Sequence, residues 1–265
     1  MASSLVLVTG ASSGIGAATA RRFGASGAKV LLLARNEDRL AEVANAIRKG
    51  GGSATSYRID LSNADAIAEL SARIEREAGT PDILINNAGA GRWLRVAGTT
   101  AEQALAMIEV PYLAAFNLTR AFLPKMIARG SGAIACVTSP ASFVVWPNAG
   151  AYTASRHALL GFTESLRADL KGSGILVTLV VLGLVESPYW EHNPGSREYL
   201  PVMSPLIARP LTSDEAAEAI VAGVAGRKRM VVKPAIFRAL FLLNAIAPRL
   251  VASQLRRAVP KKRPT

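Results

Sequence analysis

The chain has 265 residues, half of them apolar and 19% charged, a balance that can bury a sizeable core and excludes a disordered protein. One cysteine, Cys136, excludes a disulfide scaffold or a cysteine-rich metal site, and 22 glycines without a three-residue repeat exclude collagen. The net charge of +12 is lopsided: residues 1–218 hold 20 Lys/Arg against all 19 Asp/Glu, whereas residues 219–265 hold 11 basic residues and no acid.

No basic stretch precedes the short apolar run near the start, and no run of about eighteen strongly apolar residues occurs. Neither a secretory leader nor a membrane span is therefore expected, and the chain reads as cytoplasmic. Segments at 5–8, 29–33, 55–58, 83–85, 133–137 and 175–181 read as strands. Most are continuously apolar, as parallel strands covered on both faces are. Between them, Ala/Leu/Arg/Glu-rich stretches at 15–26, 37–49, 63–78, 101–129 and 151–171 read as helices. Asn63, Thr99 and Thr212 each supply a capping oxygen ahead of an acid in the first turn. This alternation predicts an α/β fold, a doubly wound parallel sheet in a single domain over residues 1–233.

Directly after the first strand, Thr9-Gly10-Ala11-Ser12-Ser13-Gly14-Ile15-Gly16 opens a helix. Glycines there permit a tight turn and let a pyrophosphate approach backbone N–H groups at the positive helix end. The second strand ends in Ala34-Arg35-Asn36, where an acid would accept hydrogen bonds from a ribose 2′-hydroxyl. A cation at that position suits a 2′-phosphate instead, so NADP(H) is favoured, with NAD(H) the alternative; a solvated surface arginine is the bland reading. Further on, Asn86-Asn87-Ala88-Gly89 follows the fourth strand, and Ser139 precedes Tyr152 by thirteen residues.

In this order, over about residues 4–225, the motifs resemble the short-chain dehydrogenase/reductase family. The resemblance implies a Rossmann-like fold, assembly as a homo-dimer or homo-tetramer, and hydride transfer between a nicotinamide and a carbonyl carbon. It implies that Asp60 and Leu61 border the adenine, and that Asn86, Ala88 and Gly89 flank the nicotinamide side; Asn87 has either that role or a structural one. Tyr152 would be the acid/base and Ser139 the anchor of the reacting oxygen. Arg156 stands one helical turn beyond Tyr152, on the same face. A free phenol has a pKa of ~10, so a phenolate at neutral pH needs such a cation.

The sequence departs from the family pattern at three places. The family lysine is Arg156, a planar fork in place of a compact ammonium. The asparagine expected after Val110 is Pro111, which removes an N–H, frees the Met107 carbonyl, kinks the helix and leaves that carbonyl to hold a relay water. The Pro-Gly after the sixth strand is Leu182-Gly183, followed by Val185 and by Ser187, which stands where a threonine commonly meets the carboxamide. The first two departures leave two readings open, an active oxidoreductase and a cofactor-binding sensor or scaffold with impaired catalysis.

Residues 186–212 form a long segment rich in proline and aromatics. Phe143, Trp146, Tyr189, Trp190, Leu200, Met203, Leu206 and Trp93 line either an apolar pocket for a lipophilic small molecule or ordinary core. His157, His192 and Cys136 read as incidental, and no metal-ligand spacing accompanies them. Residues 234–265 read as a basic amphipathic extension, with helices over 234–247 and 249–257 separated by Pro248. Ile236, Leu240, Leu243, Ala247 and Leu250 align at helical spacing, with Arg238, Arg249, Arg256 and Arg257 off that stripe. Such a face suits an anionic membrane surface, and suits equally a helix covering the pocket or a neighbouring subunit. No zinc-finger, RNP or helix-turn-helix signature supports nucleic-acid binding.

Overall fold

The computed structural model describes residues 3–89, 91–191, 193–200 and 209–259. Seven parallel strands lie side by side: β1 (Leu5–Thr9), β2 (Lys29–Ala34), β3 (Ser53–Arg58), β4 (Ile83–Asn86), β5 (Gly132–Thr138), β6 (Ile175–Leu182) and, after the two-residue strands β7 (Val185–Glu186) and β8 (Leu211–Thr212), β9 (Met230–Lys233). Their spatial order is β3-β2-β1-β4-β5-β6-β9. Strand order reverses between β1 and β4, the point at which a doubly wound sheet opens a crevice beyond its carboxyl ends.

Alternation along each strand builds two cores. In β1, Leu5 and Leu7 face one layer while Val6 and Val8 face the other; in β5, Ile134 and Cys136 oppose Ala133, Ala135 and Val137. One layer is covered by α1 (Gly14–Ala25), α2 (Glu37–Lys49) and α7 (Ser213–Ala225). The other is covered by α3 (Ala64–Glu77), α4 (Ala101–Ile108), α5 (Ala114–Arg129) and α6 (Gly150–Asp169). Both faces are closed, which is why the strand sequences read as continuous apolar runs.

The helix expected over 101–129 is interrupted. Glu109–Leu113 winds more widely than an α-helix, and the Ala114 N–H donates to Glu109 O five residues back. Pro111 sits inside this wide turn, where its missing N–H would have closed an α-helical bond, so the predicted break falls where the sequence placed it. The first turn of α4 is capped by Thr100, within the expected start Thr99-Thr100-Ala101-Glu102, with Gln103 completing a reciprocal pair.

Two further helices end the described chain, α8 (Phe237–Ile246) and α9 (Pro248–Ala258). They are not a detached tail. Phe237, Val251 and Leu255 belong to the same buried cluster as the sheet. The single apolar stripe expected of this segment is divided: Leu240 packs toward the core, whereas Ile236, Leu243 and Leu250 face outward.

Candidate active site

A cleft of about 1030 Å³ runs along the carboxyl ends of the strands. At one end lies the glycine turn. Gly10 has φ +65°, and a Cβ on Gly16 would stand 2.2 Å from Gly10 O, so neither side chain nor a wider turn fits. Ser13 precedes α1, yet its hydroxyl makes no capping bond to the helix, and no acid occupies the first turn. Ser12, Ser13, Gly14, Ile15 and Gly16 therefore present N–H groups, hydroxyls and a positive helix end to the cleft. An arrangement of this kind fits a pyrophosphate.

Arg35, Asp60 and Leu61 line the next stretch, joined by Arg39 and Ser62. Hydrogen bonds from the Ser62 N–H at 3.0 Å and its hydroxyl at 2.9 Å hold the Asp60 carboxyl below the usual carboxylate range, with Arg35 adding a smaller pull. A second depression of about 680 Å³ shares Arg35 and Asp60 and is bordered by Arg58, Arg73 and Arg76. This end of the cleft is cationic.

The floor is tied to the glycine turn by one residue that sequence reasoning did not single out. Thr9 Oγ1 accepts from the N–H groups of Asn87 and Ala88, both at 2.9 Å, and donates to Ile85 O at 3.2 Å. Asn87 Nδ2 donates in turn to Thr9 O at 2.9 Å. Asn87 thus holds β1 to the end of β4 and also lines the cleft, beside Ala88 and Gly89. The Asn86 side chain does not line the cleft. It is buried behind the wall, where Nδ2 donates to Thr119 Oγ1 at 3.3 Å, because strand alternation turns it toward the helix layer.

At the far end Ser139, Tyr152 and Arg156 share one wall. Ser139 caps the turn after β5; its Oγ accepts from the Ala141 N–H at 3.1 Å, which leaves the hydroxyl proton for a ligand. The Arg156 guanidinium lies over the Tyr152 ring, 4.7 Å from its centroid, and is only 6% exposed. A Cβ on Gly89 would approach Arg156 Nη2 to 3.2 Å, a tight contact with the end of that side chain. Ser142 fixes the turn of α6 that carries this pair: its Oγ donates to Arg156 O at 2.9 Å and meets Thr138 Oγ1 at 2.6 Å.

Aromatic side chains enclose Tyr152. Trp93 lies 5.7 Å from its ring and 6.2 Å from that of Trp146. Tyr189 donates to Gly91 O at 2.7 Å, and Gly91 is itself pressed against the Tyr152 ring. Burial first, and the neighbouring Tyr152 second, push the Tyr189 phenol well above its ordinary value, so it remains a neutral donor. Trp190, Leu200, Gly183, Val185 and Ser187 complete the wall, with Pro234 and Phe237 from the start of the extension. Phe143 is elsewhere: it stacks on Phe241, 4.4 Å between centroids. Met203, Leu206 and His192 lie outside the described residues. His157 bonds back to Thr153 O at 3.0 Å within α6, and burial pushes the Cys136 thiol up, away from reactivity.

The pattern of the short chain dehydrogenase family matches residues 4–196. The chain belongs to this family. Among its relatives is a probable oxidoreductase, EphD of Mycobacterium tuberculosis, 32% identical over 95% of this chain. The chain spans 44% of the length of that relative. A metagenomic short-chain oxidoreductase solved in complex with NADP is 33% identical over 87% of this chain and 96% of its own, with a TM-score of 0.73. A short-chain dehydrogenase from Sphingobium yanoikuyae in complex with NADPH is 26% identical, covers 99% of this chain and 98% of its own, and has a TM-score of 0.79.

Proposed function

We propose that the protein is an NADP(H)-dependent oxidoreductase interconverting a lipophilic carbonyl compound and its alcohol. The observation that carries this reading is a single cleft with a pyrophosphate cradle and Arg35 toward one end and Ser139, Tyr152 and Arg156 toward the other. The glycine turn, the unused Ser13 hydroxyl and the arginines fit a phosphorylated dinucleotide. No acid stands directly after β2 to repel a 2′-phosphate, and the NADP and NADPH complexes of the relatives point the same way.

The glycine turn, Ser13 and Arg35 would hold NADPH, which would supply the hydride for the carbonyl carbon. The carbonyl oxygen then requires one proton, and the Tyr152 hydroxyl is the donor on this wall. Ser139 offers its own proton as a hydrogen bond to the same oxygen, its lone pair already being engaged by Ala141. Arg156, held against the Tyr152 ring, offsets the negative charge that proton donation leaves there. The reverse reaction runs through the same atoms in the opposite order. Trp93, Trp146, Tyr189, Trp190, Leu200 and Phe237 give the cleft an apolar lining that favours a lipophilic substrate over a sugar or a charged acid.

The test is NADPH oxidation across a carbonyl library. Lipophilic ketones should turn over with kcat/KM at least about tenfold above sugars and keto acids, and NADPH should outperform NADH by a similar factor. Tight NADPH binding with no turnover across the library would contradict the proposal and favour a cofactor-binding protein whose catalysis is lost.

A further inference from the structure

Helices α8 and α9 carry a second surface that the cleft does not use. The inner face of α8 is committed: Phe241 stacks on Phe143, Asn244 Nδ2 donates to Phe143 O at 3.0 Å, and Phe237 reaches the cleft wall. The outer face is also apolar. Ile236, Leu242, Leu243, Ile246 and Leu250 are 45%, 64%, 44%, 75% and 51% exposed, and Ala239 lies among them at helical spacing. A helix apolar on both sides with only one side covered leaves an unusually greasy surface. Arg238, Arg249, Arg256 and Arg257 border it, all exposed.

The charge of this region selects the occupant. From residue 219 to the end there are 11 Lys/Arg and no Asp/Glu, including Lys261, Lys262 and Arg263 just beyond the described helices. A second copy docked face to face would bring two such acid-free surfaces together, and like charges in apposition oppose that contact. An anionic bilayer supplies both missing halves, an acyl boundary for the leucines and isoleucines and phosphates for the arginines. No helix among the described residues is long and apolar enough to cross a membrane, so the contact would be one of lying on the surface.

We propose that the outer face of α8, with the basic residues of α9, docks the protein on an anionic lipid surface. The contact depends on both parts: insertion of the aliphatic stripe, and a cationic attraction in which each Lys/Arg near the surface is worth about fivefold in affinity. It does not depend on which carbonyl compound the cleft takes.

Flotation of the full chain with vesicles tests this. One set is phosphatidylcholine alone and the other is phosphatidylcholine with phosphatidylglycerol, each at low and high salt. The wild type should float with the anionic vesicles at low salt and lose at least about tenfold in binding with the neutral vesicles or at high salt. Leu242→Ser combined with Ile246→Ser should reduce binding to anionic vesicles by at least about tenfold while elution volume and NADPH affinity stay as in the wild type. Arg256→Gln with Arg257→Gln, which leaves the apolar packing untouched, should weaken binding by about 25-fold. Failure of the wild type to float with anionic vesicles would overturn the proposal. So would full flotation by both double variants, or a Leu242/Ile246 variant whose main change is dissociation of an oligomer, which would make the face a contact between copies.

Discussion

The two ends of the cleft are built on different principles. At the end lined by the glycine turn the wall is backbone: Gly10 and Gly16 approach so closely that no side chain fits, and Thr9 clamps the turn to the main-chain N–H groups of Asn87 and Ala88. At the chemical end the work falls to side chains that pack on one another, Arg156 on Tyr152, Tyr152 against Gly91, and Tyr189 onto Gly91 O. Backbone geometry tolerates no substitution at its tight points but is indifferent to side-chain identity elsewhere. In a packed side-chain site, an exchange of one cation for another depends on its neighbours. Here one such neighbour is Gly89.

Mutation at each end sharpens this contrast. Gly16→Ala places a methyl group 2.2 Å from Gly10 O, and relief of that overlap costs about 1–3 kcal/mol through movement of the turn. The expected result is NADPH binding weakened about 5- to 150-fold in titration, with the fold retained. At the other end, Arg156→Met should lower kcat by about 100-fold, whereas Arg156→Lys keeps the charge and should stay within about tenfold of the wild type. An equal collapse in both variants would mean that the seat of the planar fork against Gly89, and not its charge, is what Tyr152 requires.

The smallest expected effect concerns the segment that returns from the cleft to α7. Thr212 and Glu215 cap that helix reciprocally, and Arg209, a residue of the cleft wall, bonds the same carboxylate. The Arg209 bond, followed by the Thr212 N–H, lowers the Glu215 carboxyl to about 2. A depressed carboxyl contributes stability that is fully present above its ordinary value of ~4.3 and fades as pH falls toward the depressed one. Melting temperatures of the wild type and Glu215→Gln should therefore differ modestly at neutral pH and converge between about pH 4 and pH 2. A difference that grows in acid would contradict this role for the Arg209 contact.

Much of this architecture was legible in the sequence because its cause is local or periodic. Strands buried on both faces appear as apolar runs, the glycine turn announces itself by spacing, and Pro111 marks the wide turn at Glu109–Leu113. What was not legible depends on partners far away in the chain. β9 is only Met230–Lys233, wedged between Arg227-Lys228-Arg229 and Pro234, and exists because β6 offers it an edge. Thr9 and Ser142 look like ordinary strand-end hydroxyls until Asn87 and Arg156 come to rest on them. Phe143 reads as a pocket residue because its stacking partner, Phe241, lies in the extension. The direction of the Asn86 side chain, toward Thr119, follows from its register in β4, which the motif alone does not give.

The central claim is that the Tyr152 hydroxyl, with Arg156 against its ring, delivers the proton in a carbonyl reduction. The most direct measurement is turnover of a lipophilic ketone by Tyr152→Phe, followed through loss of reduced nicotinamide, alongside NADPH titration of the same variant. The account predicts a fall in kcat of about 100- to 10,000-fold, with NADPH affinity changed by no more than about threefold. Undiminished turnover in Tyr152→Phe would contradict it and place the proton donor elsewhere in the cleft.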